Sequence, residues 1–181
     1  LGDTAISRPV VTHALTHALS IAGYLFVDPE DAILMPDLYW GNYRLVFSQG
    51  HQAKIETYPT FIDGGYNVAG LAEALNSGEG TKRLVVLNFP NNPTGYTCTP
   101  DEAHAIRDAL VAAAESGKNI VVMIDDAYFG LVYEDGIYKE SVFSLLADAH
   151  PGILAVKVDG ATKEDYAWGL RVGFLTYGFK G

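Results

Sequence analysis

Cysteine is nearly absent from this sequence: Cys98 is the only one among 181 residues. A single cysteine excludes a disulfide framework and a metal site built from several thiolates. Five histidines occur, but they are scattered, and their spacing indicates no metal site. No apolar run is long enough to cross a membrane, and no basic stretch followed by an apolar one marks a secretory leader. We therefore expect a soluble, cytoplasmic protein.

Basic residues are also scarce, with 12 Lys and Arg against 22 Asp and Glu, and the formal net charge is −10. This balance argues against a nucleic-acid-binding protein, which needs a basic surface. It does not exclude a local anion site formed by backbone N–H groups at a helix N-terminus. Since 49% of the residues are hydrophobic, one domain with a sizeable core is expected. The sequence begins at Leu1, and we expect it to be part of a longer protein.

Short apolar runs alternate with helical stretches along the whole chain. Strands are predicted at residues 10–12, 32–35, 53–58, 83–88, 119–124, 153–158 and 172–177. Helices are predicted at residues 16–26, 40–47, 68–75, 100–116 and 141–149. Apolar strands separated by helices predict an α/β fold, a three-layer α/β/α sandwich in which helices cover both faces of the sheet. Ligands of such sheets bind beyond the carboxyl ends of the strands.

Two predicted strands end in polar residues suited to a ligand. Strand 83–88 continues into N-F-P-N-N-P-T-G, which is either an ordinary turn or a stiffened loop that holds the Asn92 amide at a phenolate oxygen. Strand 119–124 continues into D-D-A-Y. Asp125 is either a helix cap or solvated turn, or a carboxylate aimed at a cation, with the Tyr128 hydroxyl near the same ligand.

Two basic residues follow the strand at 153–158. Most lysines are surface charges, but Lys163 comes shortly after a buried strand, and a desolvated lysine can act as a Schiff-base nucleophile. Arg171 lies eight residues further on and opens another strand. Its planar fork of N–H groups would suit a phosphate.

The motifs N-F-P-N-N-P-T-G, D-D-A-Y, T-K and R-V-G-F, in this order and spacing, resemble those of the class I/II aminotransferases. These are fold-type I enzymes that use pyridoxal 5'-phosphate (PLP). The resemblance covers nearly the whole chain and implies a mostly parallel, seven-stranded sheet whose last strand is antiparallel. It also implies that Lys163 forms the Schiff base with PLP and that Asp125 pairs with the pyridine nitrogen. Asn92 and Tyr128 would hydrogen-bond the ring oxygen.

The resemblance implies further cofactor contacts. Arg171 and the turn Ala14-Leu15-Thr16 would hold the phosphate, and Trp40 would stack on the ring. One departure is Gly160, where the family usually has a serine or threonine that touches the phosphate, and the neighbouring Thr162 is a candidate substitute. The histidines that flank the phosphate turn are expected to be surface residues.

A second departure is length, since members of the family are much longer. The chain, residues 1–181, resembles the PLP-binding large domain, without the family's N-terminal segment and C-terminal small domain. The resemblance implies an enzyme that transfers amino groups between amino acids and 2-oxo acids and that is a homodimer at full length. We expect this part by itself to lack full catalysis. Two alternatives stay open: another fold-type I reaction such as a C–S β-lyase, and a non-catalytic PLP-binding fragment. No nucleic acid, membrane or metal is expected as a partner.

Overall fold

The structure is a computed structural model that describes residues 4–181. Nine strands and five helices follow one another along the described chain: β1 (Val10–His13), α1 (Ala14–Phe26), β2 (Ala32–Pro36), β3 (Lys54–Tyr58), β4 (Phe61–Ile62), β5 (Gly65–Tyr66), α2 (Val68–Asn76), β6 (Lys82–Asn88), α3 (Pro100–Glu115), β7 (Asn119–Asp125), α4 (Phe143–Leu146), β8 (Ile153–Asp159), α5 (Ala161–Glu164) and β9 (Val172–Phe179). A π-helical turn (Arg44–Gln49) precedes β3, and a 3₁₀ turn (Trp168–Leu170) precedes β9.

Seven of the strands form one sheet in the order β1-β9-β8-β7-β6-β2-β3. The pairs from β8 to β3 are all parallel, whereas β9 is antiparallel to both of its neighbours. This arrangement confirms the predicted α/β fold and its mostly parallel sheet. Each of the seven strands overlaps one of the seven predicted runs.

Helices cover both faces of the sheet. Apolar residues of α2, α3 and α4 pack on one face, where Leu71, Leu110 and Phe143 are buried. Helix α1 and the residues around the π-helical turn pack on the other face, where Leu19 and Phe47 are fully buried. The two cores hold the sheet between them, as a three-layer sandwich requires.

Three predicted helices have different bounds in the structure. Helix α1 begins at Ala14 rather than at residue 16, because Ala14 has a φ of +63° and turns the chain directly from β1 into the helix. The helix predicted at 40–47 begins later: Trp40 precedes a turn, and residues 43–51 are helical, mostly of the π type. The predicted helix 141–149 shortens to α4, and before its start the Ser141 hydroxyl accepts from the Phe143 N–H.

The β4–β5 hairpin was not predicted. Its loop is Asp63-Gly64, with φ angles of +50° and +84°. Asp-Gly is a strong signal for a two-residue hairpin loop, so the sequence did contain a local signal for this hairpin. The two strands are only two residues long each, which is too short for an alternating pattern to be visible.

A buried arginine joins α2 to the sheet. The Arg83 side chain, at the second position of β6, donates to five backbone carbonyls at distances of 2.6 to 3.3 Å. Three of these carbonyls belong to Leu75, Ser77 and Gly78, where α2 ends and its carbonyls lack helical partners. Within residues 4–181, no helix is long and apolar enough to span a membrane.

Candidate functional site

A cavity of about 300 Å³ lies at the carboxyl ends of the central strands. Strands β6, β7 and β8 end close together there, because Asn88 pairs with Asp125 and Asp125 with Val158 in the sheet register. The residues that line the cavity are Ala14, Leu15, Thr16, Trp40, Asn88, Asn92, Asp125, Ala127, Tyr128, Thr162, Lys163, Trp168 and Arg171. All nine residues predicted for the site are among them.

Asp125 lines the cavity. It is the last residue of β7, and only 4% of it is exposed. Its Oδ2 accepts a hydrogen bond from the Tyr43 hydroxyl at 2.6 Å, and its Oδ1 accepts from the Ala127 N–H at 3.1 Å. Burial raises the pKa of the Asp125 carboxyl, against the opposing effects of these two donors and of the Lys163 ammonium. Within the described chain Asp125 forms no ion pair, so a cationic ligand atom would stabilise its charge.

The next residue, Asp126, belongs to a different environment. Its side chain pairs with the Lys157 ammonium and accepts a hydrogen bond from the Ser141 hydroxyl at 2.6 Å. Lys157 also pairs with Asp159 at 2.9 Å. The two carboxylates of D-D-A-Y are therefore distinguished by their partners, and only Asp125 lines the cavity.

Asn88 joins the two loops that carry the polar side chains. Its Oδ1 accepts from the Asn92 N–H at 2.8 Å, and its Nδ2 donates to the Asp125 carbonyl at 2.7 Å. The Asn92 amide in turn lies 3.5 Å from the Tyr128 hydroxyl, so the predicted pair is brought together. The sequence reasoning missed Asn88, although its place at the end of a buried strand was the same signal that singled out Asp125.

Lys163 lines the cavity from the four-residue helix α5, which follows β8. Its ammonium is half-buried, 5.2 Å from the centre of the Tyr128 ring, and it forms no ion pair within residues 4–181. The chain before it is tightly packed: a Cβ on Gly160 would lie 2.7 Å from the Val172 carbonyl oxygen. This close approach explains why glycine, rather than serine or threonine, stands three residues before the lysine.

The part of the cavity beside α1 and the start of β9, called here its anion end, offers donors for an anion. The N-terminus of α1 has no side-chain cap and no acidic residue in its first turn, so its first N–H groups are available. Arg171 forms no ion pair in the described chain, and its guanidinium donates only to the Trp168 carbonyl, at 3.2 Å. Thr162 is 4% exposed, and its hydroxyl is the one buried side-chain oxygen or nitrogen of the described residues that has no hydrogen-bond partner.

Trp40 forms one wall and packs against Tyr43. Their ring centres are 5.5 Å apart and the rings are nearly perpendicular. Tyr43 is 1% exposed and also contacts the rings of Tyr39 and Phe47. The sequence reasoning missed Tyr43, because its partner Asp125 is 82 residues away along the chain.

Comparisons with known proteins agree with this geometry. A sequence profile of the family described as "Aminotransferase class I and II" matches residues 2–178. A probable N-acetyl-LL-diaminopimelate aminotransferase of Bacillus subtilis is 29% identical over 172 residues, which are 94% of this chain and 40% of that protein. A 1-aminocyclopropane-1-carboxylate synthase of Oryza sativa is 27% identical over 176 residues, which are 93% of this chain and 31% of that protein.

Solved structures give the same result. The crystal structure of an aminotransferase from Anaerococcus prevotii superposes with a TM-score of 0.89 at 26% identity, over 99% of this chain and 44% of that one. The chain thus spans less than half the length of the relatives that it matches.

Proposed function

The chain belongs to the class I and II aminotransferases, and we propose that it is the cofactor-binding large domain of an enzyme that transfers amino groups between amino acids and 2-oxo acids with the help of PLP. The observation that carries this proposal is the order of charges along one cavity. In the sheet order β7-β8-β9-β1, Asp125 ends β7, Lys163 follows β8, and Arg171 and the α1 N-terminus adjoin the paired ends of β9 and β1. PLP has the matching order of a pyridine nitrogen, a carbonyl carbon and a phosphate.

The residues of the cavity fit this cofactor. The buried Thr162 hydroxyl lacks a partner and a phosphate oxygen would accept its hydrogen bond, so we assign it to the phosphate group together with Arg171 and Ala14, Leu15 and Thr16. Asp125 would face the ring nitrogen. Asn92 and Tyr128 would donate to the ring oxygen, and Trp40 would cover one face of the ring.

Lys163 would do the acid–base work. When bound, PLP supplies an electron sink for the electron pair left on the substrate's Cα. The Lys163 amine is the candidate that attaches the cofactor, and once freed it would remove a proton from Cα and deliver a proton to the carbon that receives the amino group. Asp125 would hold the ring nitrogen in its cationic form, because the carboxylate is buried and without another cation.

One comparison supports a second reaction for a chain of this family. The 1-aminocyclopropane-1-carboxylate synthase is named for a synthase reaction, yet it matches 93% of this chain. Another fold-type I reaction, such as a C–S β-lyase, is therefore the alternative activity, and a PLP-binding fragment without turnover is the third. Release of 2-oxo acid without ammonia or thiol would favour transamination.

The decisive experiment is reductive labelling. The purified chain is incubated with PLP, reduced with borohydride and digested, and the modified peptide is located by mass spectrometry. We expect the label on Lys163 and its loss in Lys163→Ala, while Lys139→Ala, which removes an exposed lysine outside the cavity, keeps it. Label spread over surface lysines in both variants would contradict the proposal.

We further propose that the full-length protein is a cytoplasmic homodimer. Large apolar side chains are exposed beside the cavity, among them Val11, Trp168 and Leu170 at 71%, 65% and 76%. Surfaces of this kind are typical of association sites. Light scattering of the full-length protein would test the homodimer, and a full-length monomer would contradict it. Fractionation of cells that express the protein would test the location, and a membrane-bound pool would contradict it.

A further inference from the structure

Within residues 4–181, the Tyr43 hydroxyl has a single hydrogen-bond partner, which is the Asp125 carboxylate that lines the cavity. The two oxygens are 2.6 Å apart, and Tyr43 is 1% exposed. Its N–H donates to the Trp40 carbonyl at 2.9 Å, so one turn sets the position of both the cavity wall and the hydroxyl. Tyr43 does not line the cavity and would not touch a ligand there.

The bond fixes both the orientation and the charge of Asp125. Because Tyr43 and the Ala127 N–H hold one carboxylate oxygen each, the carboxyl group cannot rotate without breaking a hydrogen bond. A donor to a carboxylate stabilises its ionised form and makes it a weaker base. Burial, followed by the charge of Asp125, raises the pKa of Tyr43 well above 10, so the phenol stays protonated and keeps donating.

We propose that Tyr43 is a positioning residue that keeps the shared proton on the ring nitrogen of the bound cofactor rather than on Asp125. This inference rests on the function proposed above. Without the phenol, Asp125 becomes a stronger base, and the shared proton shifts from the ring nitrogen toward the carboxylate. The other titratable groups that face the pair are Lys163 and Tyr128, and the variants below retain both.

The test measures the proton directly instead of activity. The chain is loaded with PLP that carries ¹⁵N at the ring nitrogen, and the ¹⁵N chemical shift is followed against pH in the wild type and in Tyr43→Phe. Hydrogen bonds to charged groups have strengths equivalent to about 1 to 2 pH units. We therefore expect the ratio of the form with the proton on the ring nitrogen to the form with the proton on Asp125 to fall by about 10- to 100-fold in Tyr43→Phe, so that the ¹⁵N shift at neutral pH moves toward that of an unprotonated pyridine.

A matched control separates this effect from the loss of any buried phenol. Tyr58 is 4% exposed, and its hydroxyl lies 2.6 Å from that of Tyr66, so Tyr58→Phe removes an equally short buried hydrogen bond outside the cavity. This control should titrate like the wild type. Site-specific 3-fluorotyrosine at position 43 keeps the ring and makes the hydroxyl a stronger donor, so the ¹⁵N shift should move toward that of a fully protonated ring.

Each outcome has a distinct meaning. A wild-type chain that does not attach PLP at Lys163 overturns the proposed function and this inference with it. Normal attachment together with an unchanged titration in Tyr43→Phe overturns the role of Tyr43 alone. Where Tyr43→Phe fails to fold or to load, the fluorotyrosine protein decides, and a titration identical to that of the wild type counts against the inference.

Discussion

Gly173 is the position where one added methyl group should disturb the anion end of the cavity most. A Cβ on this glycine of β9 would lie 2.6 Å from the Ala14 carbonyl carbon and 2.9 Å from its Cα and its oxygen. These are backbone atoms, which cannot swing aside as the end of a side chain can. The turn between β1 and α1 must therefore move by about 0.8 Å to restore an ordinary contact of 3.4 Å. Ala14 already has a φ of +63°, so the turn has little conformational freedom to absorb that movement.

Two quantities should change in Gly173→Ala. The free energy of unfolding should fall by about 1 to 3 kcal/mol, the usual cost of forcing a methyl group into a packed site. The displaced N–H groups of α1 should lose one charge-assisted hydrogen bond to phosphate, which weakens the affinity for PLP by roughly 10- to 100-fold. Urea denaturation of the chain without cofactor measures the first quantity, and titration of the visible absorbance of PLP measures the second.

Gly169→Ala is the matched control. Gly169 lies in the 3₁₀ turn that borders the cavity, and no atom lies within 4 Å of the Cβ that this substitution would add. This variant should keep both the stability and the affinity of the wild type. If Gly173→Ala behaves like Gly169→Ala in both measurements, the close approach of β9 to Ala14 does not position the anion end, and the reasoning is refuted.

Two further substitutions test parts of the fold away from the cavity. Burial raises the pKa of the Glu102 carboxyl, but hydrogen bonds from the Thr99 and Tyr66 N–H groups and from the Tyr96 hydroxyl outweigh burial and hold the pKa below 4.5. The ionised carboxylate therefore stabilises the fold. This contribution is lost as the pH falls through the folded-state pKa. Glu102→Gln should therefore flatten the loss of unfolding free energy below about pH 4.5, and an unchanged slope in acid denaturation would contradict this. Arg83→Lys should lower the free energy of unfolding, measured in urea, by about 2 to 4 kcal/mol, because one ammonium cannot donate to five carbonyls. The affinity for PLP should stay unchanged. A variant as stable as the wild type would show that the carbonyls find other partners.

The parts of the fold that could be predicted are those with local signals. The runs before Asn88 and Asp125 are apolar at nearly every position, which is the pattern of strands covered on both faces. Helix α3 was readable because Thr99 and Glu102 form a complete capping box before it. These signals depend on residues within a few positions of one another.

The parts that could not be predicted depend on contacts between distant segments. Helix α5 is only four residues long, and no periodic pattern marks the turn that carries Lys163. The bond between Tyr43 and Asp125 joins residues that local patterns cannot relate. The predicted roles of the site residues came from motif resemblance. The structure adds that these side chains share one cavity, and that Asn88 holds two of its loops together.

The strand order has a consequence for how the chain folds. Strand β1 has one neighbour in the described sheet, β9, and the two lie at opposite ends of the sequence. During synthesis the turn at Ala14 must wait until Val172–Phe179 has left the ribosome, and joining such distant segments is entropically costly and slow. The anion end of the cavity is thus completed last. A ligand of this cavity would therefore bind a sheet that has already closed, and it would stabilise the fold by mass action.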